Sequence, residues 1–586
     1  AKSDATRSNT KMNRWVANAY LNYAHTFAKD HHLNVMAGVN GESFKSDRFE
    51  AMRNKLYNED YPELNLAYGD MKDAKIDAST GDRSSAGFFS RINYSFRDIY
   101  LLELNGRYDG SSRFRKGDRW AFFPSFSLGY RFSEESYWKN LKSIVSNGKL
   151  RFSYGEIGNE AIGDNMFLST LNAYNVARSG YTWLNAGGTK LNAFTMPTWV
   201  SPTLTWERIH TKNLGLDLGF LDDQFTASIE VYERLTKDML APGTAIPSAV
   251  GAGAPYTNAG ELRSRGWELS LAWRKQFTKE FGLYANFSIG DSKVKVKKWN
   301  NRNQIIGHTN DVSYAYAGET WGDIWGFETD RYFTPDDFDG KNPNGSWKYK
   351  SGIADQTGIQ TGNFVYGPGV IKFKDLNNDG KGTLEDHGDL KVIGNCLPRY
   401  EYSFRIGGTY KGFDLDLFFQ GVGKRSVWNI SSFNFPMMRN PDLAIYANQT
   451  KYNVYDPDNG IINISESNDY PCLWPGNEDK GNVSALSAAG GCHNYYPQSK
   501  YLINMSYLRL KNVTLGYTLP KQLTQKASIQ TLRLYVSANN LFLLHKGNGN
   551  LPLDPEINTG EGENYGGWGR TLPITRTWTI GLQLTL

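Results

Sequence analysis

Cysteine is scarce: three in 586 residues cannot build a disulfide scaffold. Two of them, Cys472 and Cys492, share one Gly/Pro/Asn-rich segment. They fit a bridge in an oxidising compartment, with Cys396 left over, and fit two thiols as well. No run of about 18 apolar residues occurs, so no transmembrane helix is encoded. Lys and Arg form no block, and 65 basic against 60 acidic residues give a net charge of only +5. A nucleic-acid partner is therefore not expected. The N-terminus, AKSDATRSNTKMNRW, lacks the pattern of a secretion signal. That leaves a cytosolic protein, or a processed or truncated piece of an exported one.

Catalytic spacings are also missing. There is no HExxH, GxSxG or P-loop, and the eight histidines are scattered except for His31-His32. The run AVGAGAP, Ala249 to Pro255, has no helix after it that would make it a phosphate cradle. Asp414 and Asp416 could imitate a glycosidase pair, but two residues apart on one strand they read as a wet strand face. No enzyme is expected.

What is present is Gly (59), Tyr (35), Phe (31) and Trp (16), a mixture suited to pleated sheet and turns. Alternation of period two recurs along the chain. In TLRLYVSAN, Leu532, Leu534, Val536 and Ala538 oppose Arg533, Tyr535, Ser537 and Asn539. About fifteen strands are predicted by this pattern, near 13–27, 32–47, 84–97, 99–113, 120–133, 148–158, 204–221, 224–239, 261–277, 281–296, 400–410, 413–423, 507–520, 528–544 and 575–586. Short or moderate turns alternate with long connections, the longest at 297–399 and 424–506. That asymmetry predicts a transmembrane antiparallel β-barrel, with short turns on the periplasmic side and long extracellular loops. The mean hydropathy of −0.54 is no objection, because barrel strands turn only alternate residues to lipid. Tyr20, Tyr23, Tyr94, Trp120, Phe122, Phe123, Trp267 and Trp578 are candidates for interfacial girdles. The competing reading of the same alternation is a soluble β-sandwich or propeller with those aromatics as core.

The first strand leads into a short turn, whereas bacterial barrels start from the periplasmic side with an even strand number. An odd number of strands is thus expected to be missing before residue 1.

One loop stands apart. DLNNDGKGTLED offers oxygen donors at Asp375, Asn377 and Asp379, a Gly at position six (Gly380), the carbonyl of Lys381, then Thr383 and a final carboxylate, Asp386. Alternate residues of a tight turn converge on one Ca2+ in this spacing, and Asp386 is shorter than the usual Glu. The alternative is an ordinary Asx-rich turn. A structural ion is expected, rigidifying the long segment that contains the loop. Loop aromatics Trp321, Trp325, Trp347, Trp474, Tyr495, Tyr496 and Trp568 could stack on sugars or touch a partner; small cores inside the loops are the expected use of most.

Several stretches together resemble the SusC-like branch of TonB-dependent outer-membrane transporters of Bacteroidetes. They include RYDGSSRF (Arg107 to Phe114), WAFFPSFSLGYRFSEE (Trp120 to Glu135), RFSYGEIGNEAIGD (Arg151 to Asp164), AGELRSRGWELSL (Ala259 to Leu271), SYLRLKNVTLGYTLP (Ser506 to Pro520) and LRLYVSANNLF (Leu532 to Phe542). The resemblance implies the C-terminal part of a 22-strand barrel, residues 1–586, without its plug; fifteen strands plus seven complete that number. It also implies energised import of an oligosaccharide or, next, a peptide, with a SusD-like lipoprotein as lid, the TonB-ExbB-ExbD complex acting through the plug, surrounding outer-membrane lipid, and paired transporter–lipoprotein units. Similar metal loops occur in that branch. Two departures are Cys396, where Pro is usual, and the terminal Leu586, where an aromatic is common. A passive porin and a soluble β-rich glycan-binding protein are the rival readings.

Overall fold

The computed structural model describes residues 3–70, 74–171, 173–174, 193–194, 197, 199–243, 246–247, 249, 253–300, 315–343, 345–360, 365–384, 387–428, 447–472, 496–549, 551, 553–557 and 572–586. Alternating residues and turn-forming punctuation produce fifteen strands that pair in chain order. These are β1 (Asp4–Phe27), β2 (His31–Asn54), β3 (Lys75–Phe96), β4 (Tyr100–Ser111), β5 (Trp120–Tyr130), β6 (Val145–Asn159), β7 (Glu207–Phe220), β8 (Phe225–Pro242), β9 (Tyr256–Gln276), β10 (Phe281–Lys298), β11 (Arg399–Tyr410), β12 (Phe413–Lys424), β13 (Tyr507–Thr518), β14 (Thr531–Lys546) and β15 (Thr577–Thr585). The all-β expectation holds, and among the described residues the sheet has fifteen strands. Short connections such as 28–30, 97–99 and 411–412 alternate with long ones such as 160–206, 299–398 and 425–506.

The shortest turns show why they are tight. Arg97 and Asp98 both have φ of 54°, and Lys411 and Gly412 have 47° and 88°. Two consecutive positive φ values give the turn twist that matches a hairpin's own twist.

β1, β2 and β3 reach to residues 4, 54 and 75, beyond their predicted limits. The stretch KIDASTGDRSS at the start of β3 has only Ile76 and Ala78 as apolar side chains, too few for alternation to reveal it, yet it pairs in register from Lys75↔Met52 to Gly81↔Ser46. At 22 to 24 residues these strands are about twice the ~9–11 that cross a hydrocarbon layer.

Register sorts the residues into two faces. Asn34, Asn93, Glu103, Ser127 and Ser153 stand opposite one another across five strands. One residue along, Leu33, Tyr94, Leu102, Leu128 and Phe152 form an apolar ladder on the other side. A slip of one residue would exchange the two, so burial of either face pins the pairing. Tyr20, Tyr23, Trp120, Phe122, Trp267 and Trp578 are exposed, as a girdle requires. Phe123 is a correction: alternation turns it away from Phe122 to the opposite face, where it is buried against Trp206 at 5.5 Å between ring centroids.

Residue contacts divide the chain into two compact units. The first comprises Ala1–Leu218, Glu230–Arg265 and Lys297–Asn300. At the long-connection end of its strands Phe114, Phe123, Ile162, Leu204 and Trp206 form a small core. The second unit comprises Gly219–Ile229, Gly266–Val296 and Asn301–Leu586. It holds the larger core, which lies among the connections after β10 and β12 rather than on the long strands.

Asp414 and Asp416 are found on the polar face of β12, as expected, but compensated rather than simply hydrated. Arg533 Nε donates to Asp414 Oδ1 at 2.8 Å, and Arg405 Nε to Asp416 Oδ2 at 2.7 Å. Gly516 makes room for the first pair: a Cβ there would fall 2.5 Å from Asp414 Oδ1 and 2.6 Å from Arg533.

Candidate functional site: an Asx-rich loop inside a two-loop domain

The proposed metal loop folds around its own acceptors. Asp375 accepts the N–H of Asp379 at 3.2 Å and of Gly380 at 2.8 Å on its two oxygens. Asn377 Oδ1 accepts the Asp379 N–H at 3.0 Å, and Asp379 Oδ1 accepts that of Lys381 at 2.8 Å. Asn378 and Gly380, with φ of 58° and 79°, supply the left-handed kinks that turn alternate side chains inward. These are also the bonds of a self-sufficient Asx-turn loop. Thr383, at position nine, has a buried Oγ1 without a hydrogen-bond partner among the described residues. An oxygen left in that condition suits a cation ligand. Asp386 lies outside the described residues. Among the described residues no three His, Cys, Asp or Glu side chains gather as a metal group; the described part of the loop offers the Asp375 and Asp379 carboxylates, the Asn377 amide, the Lys381 carbonyl and Thr383.

Loop spacing alone does not reveal Asp389. It is buried, and its carboxylate accepts the N–H of Leu376 at 2.7 Å and of Thr383 at 2.9 Å, closing the loop from behind. A second clamp comes from 20 residues upstream. Asp355 N–H donates to the Gly380 carbonyl at 2.9 Å, and Gly382 N–H to the Asp355 carbonyl at 2.8 Å. The next residue, Gln356, is buried and bonds the backbone of Ile371 at 3.2 Å and Phe373 at 2.7 Å.

Phe373 carries the loop into the core, stacking on Phe327 at 4.4 Å. That core takes Phe327, Tyr332, Phe333, Ile359 and Ile371 from the connection after β10, and Tyr470 and Tyr501 from the one after β12. Backbone bonds stitch the two: Phe327 N–H to the Pro497 carbonyl at 2.8 Å and Ser499 N–H to the Phe327 carbonyl at 3.0 Å. Two long loops thus form one domain.

Of the loop aromatics, Trp347 and Tyr496 pack against this core, and Trp325 lies 4.8 Å from the His387 ring. Trp474, Tyr495 and Trp568 lie outside the described residues. So does Cys492; Cys472 is buried, with its N–H on the Gly369 carbonyl at 2.7 Å. Cys396 donates its N–H to the Gly322 carbonyl at 2.8 Å, a bond that the Pro usual in the resembling branch cannot make. Where the domain's first loop leaves β10, burial pushes the Glu319 carboxyl up to about 7 and raises that of Asp323.

Long strands with one polar and one apolar face, short turns, and folded outer loops define an outer-membrane β-barrel protein. The chain belongs to the TonB dependent receptor-like, beta-barrel family, whose pattern it matches over residues 2–361. It is 26% identical over 588 residues to TonB-dependent receptor P3 of Formosa agariphila, covering 96% of this chain and 51% of that protein. TonB-dependent receptor SusC of Bacteroides thetaiotaomicron is 27% identical over 523 residues, covering 87% and 45%. In fold it is similar to the RagAB peptide importer in its open-open state, with a TM-score of 0.71, 21% identity, and coverage of all of this chain and 55% of that one. The chain spans about half the length of the curated relatives it matches.

Proposed function

We propose that this chain forms the wall and outer-loop portion of an energised importer that takes up nutrient oligomers across the outer membrane. Family membership supports TonB dependence, with the TonB-ExbB-ExbD complex acting through a plug supplied outside residues 1–586. The observation that supports the reading is the joint core of the two longest loops, which makes one folded domain against which a SusD-like lipoprotein lid would seat. Oligosaccharide is the first cargo class. The likeness to a peptide importer keeps peptide as the second. Intact mass and N-terminal sequencing of the detergent-purified outer-membrane complex test the assignment. A longer chain, or a companion chain carrying a plug, copurifying with a lipoprotein is the expected result. A complex with neither would replace it with a porin.

Within that domain, Asp375, Asn377, Asp379, Lys381, Thr383 and Asp386 would hold Ca2+ as a structural ion. The ion would supply charge to bind the turned-in oxygens, and the chain's own clamp of Asp355 and Asp389 would hold the turn in shape for it. Limited proteolysis with and without chelator checks this: cleavage within 375–386 should rise when Ca2+ is removed, and an unchanged pattern would remove the ion from the account.

A further inference from the structure

Two short strands of the loop domain alternate in the same sense. In Trp347–Tyr349 the rings of Trp347 and Tyr349 pack against the core, so Lys348 and the following Lys350 face away from it. In Ile371–Phe373 the outer side chains are buried and Lys372 turns outward, followed by Lys374. All four lysines line one cleft of about 950 Å³. That volume lies at the upper end of the ~300–1,000 Å³ of small-ligand sites.

The four charges are not equally committed. Lys372 Nζ lies 2.7 Å from Asp330, and Lys374 Nζ 2.9 Å from Glu328. Among the described residues Lys348 and Lys350 have no salt-bridge partner. The cleft's remaining carboxylates are occupied by backbone: Asp355 accepts the Thr357 N–H at 2.8 Å, and Asp375 is turned into the metal loop. The lining also carries neutral hydrogen-bonding groups of Asn342, Ser346, Ser351, Thr357 and Asn378 beside the apolar Ile353, Ala354 and Phe373 and the rings of Trp347 and Tyr349.

We propose that this cleft binds an acidic saccharide, its carboxylate or sulfate groups meeting Lys348 and Lys350 and its hydroxyls meeting the neutral polar groups. Hydroxyl and amide side chains are as many as apolar and aromatic ones on the wall, a mixture that offers ring hydroxyls partners as well as ring faces. The proposal names a cargo class on the importer reading, and binding is measured separately from transport, so the two can fail independently.

The test is equilibrium binding of three probes to the detergent-purified full-length complex: tetragalacturonate, its methyl ester and tetraglutamate. Tetragalacturonate should bind, with affinity falling as salt rises, and the ester should bind weakly. The K348Q/K350Q double variant should lose at least about tenfold in affinity, since each lysine supplies a charge-assisted hydrogen bond, while its melting temperature stays unchanged because neither lysine holds an ion pair among the described residues. Equal binding of ester and acid, or full affinity in the double variant, would overturn the proposal. Tighter binding of tetraglutamate would overturn it in favour of an acidic peptide. Absence of binding by all three would overturn it outright, whatever the complex imports.

Discussion

Glu319 occupies a place that favours its neutral form. Its carboxylate accepts the Tyr316 N–H at 3.3 Å, but burial dominates and lifts its pKa to about 7 from the ordinary 4.5. In an unfolded chain it would ionise near 4.5, so between 4.5 and about 7 the folded state binds more protons. Stability is therefore highest below that window and falls as pH rises through it. Proteolytic opening around 315–321 should increase from pH 5 to pH 8, and Glu319→Gln should flatten the profile; an unchanged slope in that variant would assign the effect elsewhere. The tight Asx-rich turn over Asp375 to Lys381 was legible because its Asp, Asn and Gly residues stand at the fixed spacing of such a loop. Asp389 and Gln356 were not, since their roles arise from packing between segments that no local pattern connects.

At the scale of elements, alternation was readable wherever one face meets an apolar environment. It failed where apolar residues are too sparse to mark a face, which is why β3 was predicted to begin nine residues late, at 84 rather than Lys75. It also failed at Phe123, whose partner Trp206 sits 83 residues away in a connecting segment. In the loop domain Phe373 ties the metal-candidate loop to the shared core. Phe373→Ala removes its stack on Phe327 and should cost about 3–5 kcal/mol. Because both loops share that core, new cleavage should appear in 447–472 as well as 365–384. Cleavage confined to the first loop would show that the two fold separately. On the strands, Gly516→Leu should displace the Arg533–Asp414 pair and cost about 1–3 kcal/mol, measured as a lowered unfolding temperature of the strands.

For the whole molecule, the fold class was readable from the distribution of connection lengths more than from any strand. The joining of the two longest connections into one domain was not readable, because a loop core mixes aromatics from segments more than 100 residues apart without a period to betray them. The same joining predicts thermal behaviour: the domain should melt in a single step below the transition of the strands, and Ca2+ should move that step alone. A scan in which chelator shifts only the final transition would contradict it.

The shared core also sets how such a protein can diverge. Phe327 lies between Phe373 of its own loop and Tyr496 of the other, at 4.4 and 5.5 Å. A new ring in one loop therefore demands a new hollow in the other. Recombination that imports one loop from a relative leaves half a jigsaw, so specificity should travel between lineages as a matched pair of inserts separated by the β11–β12 hairpin.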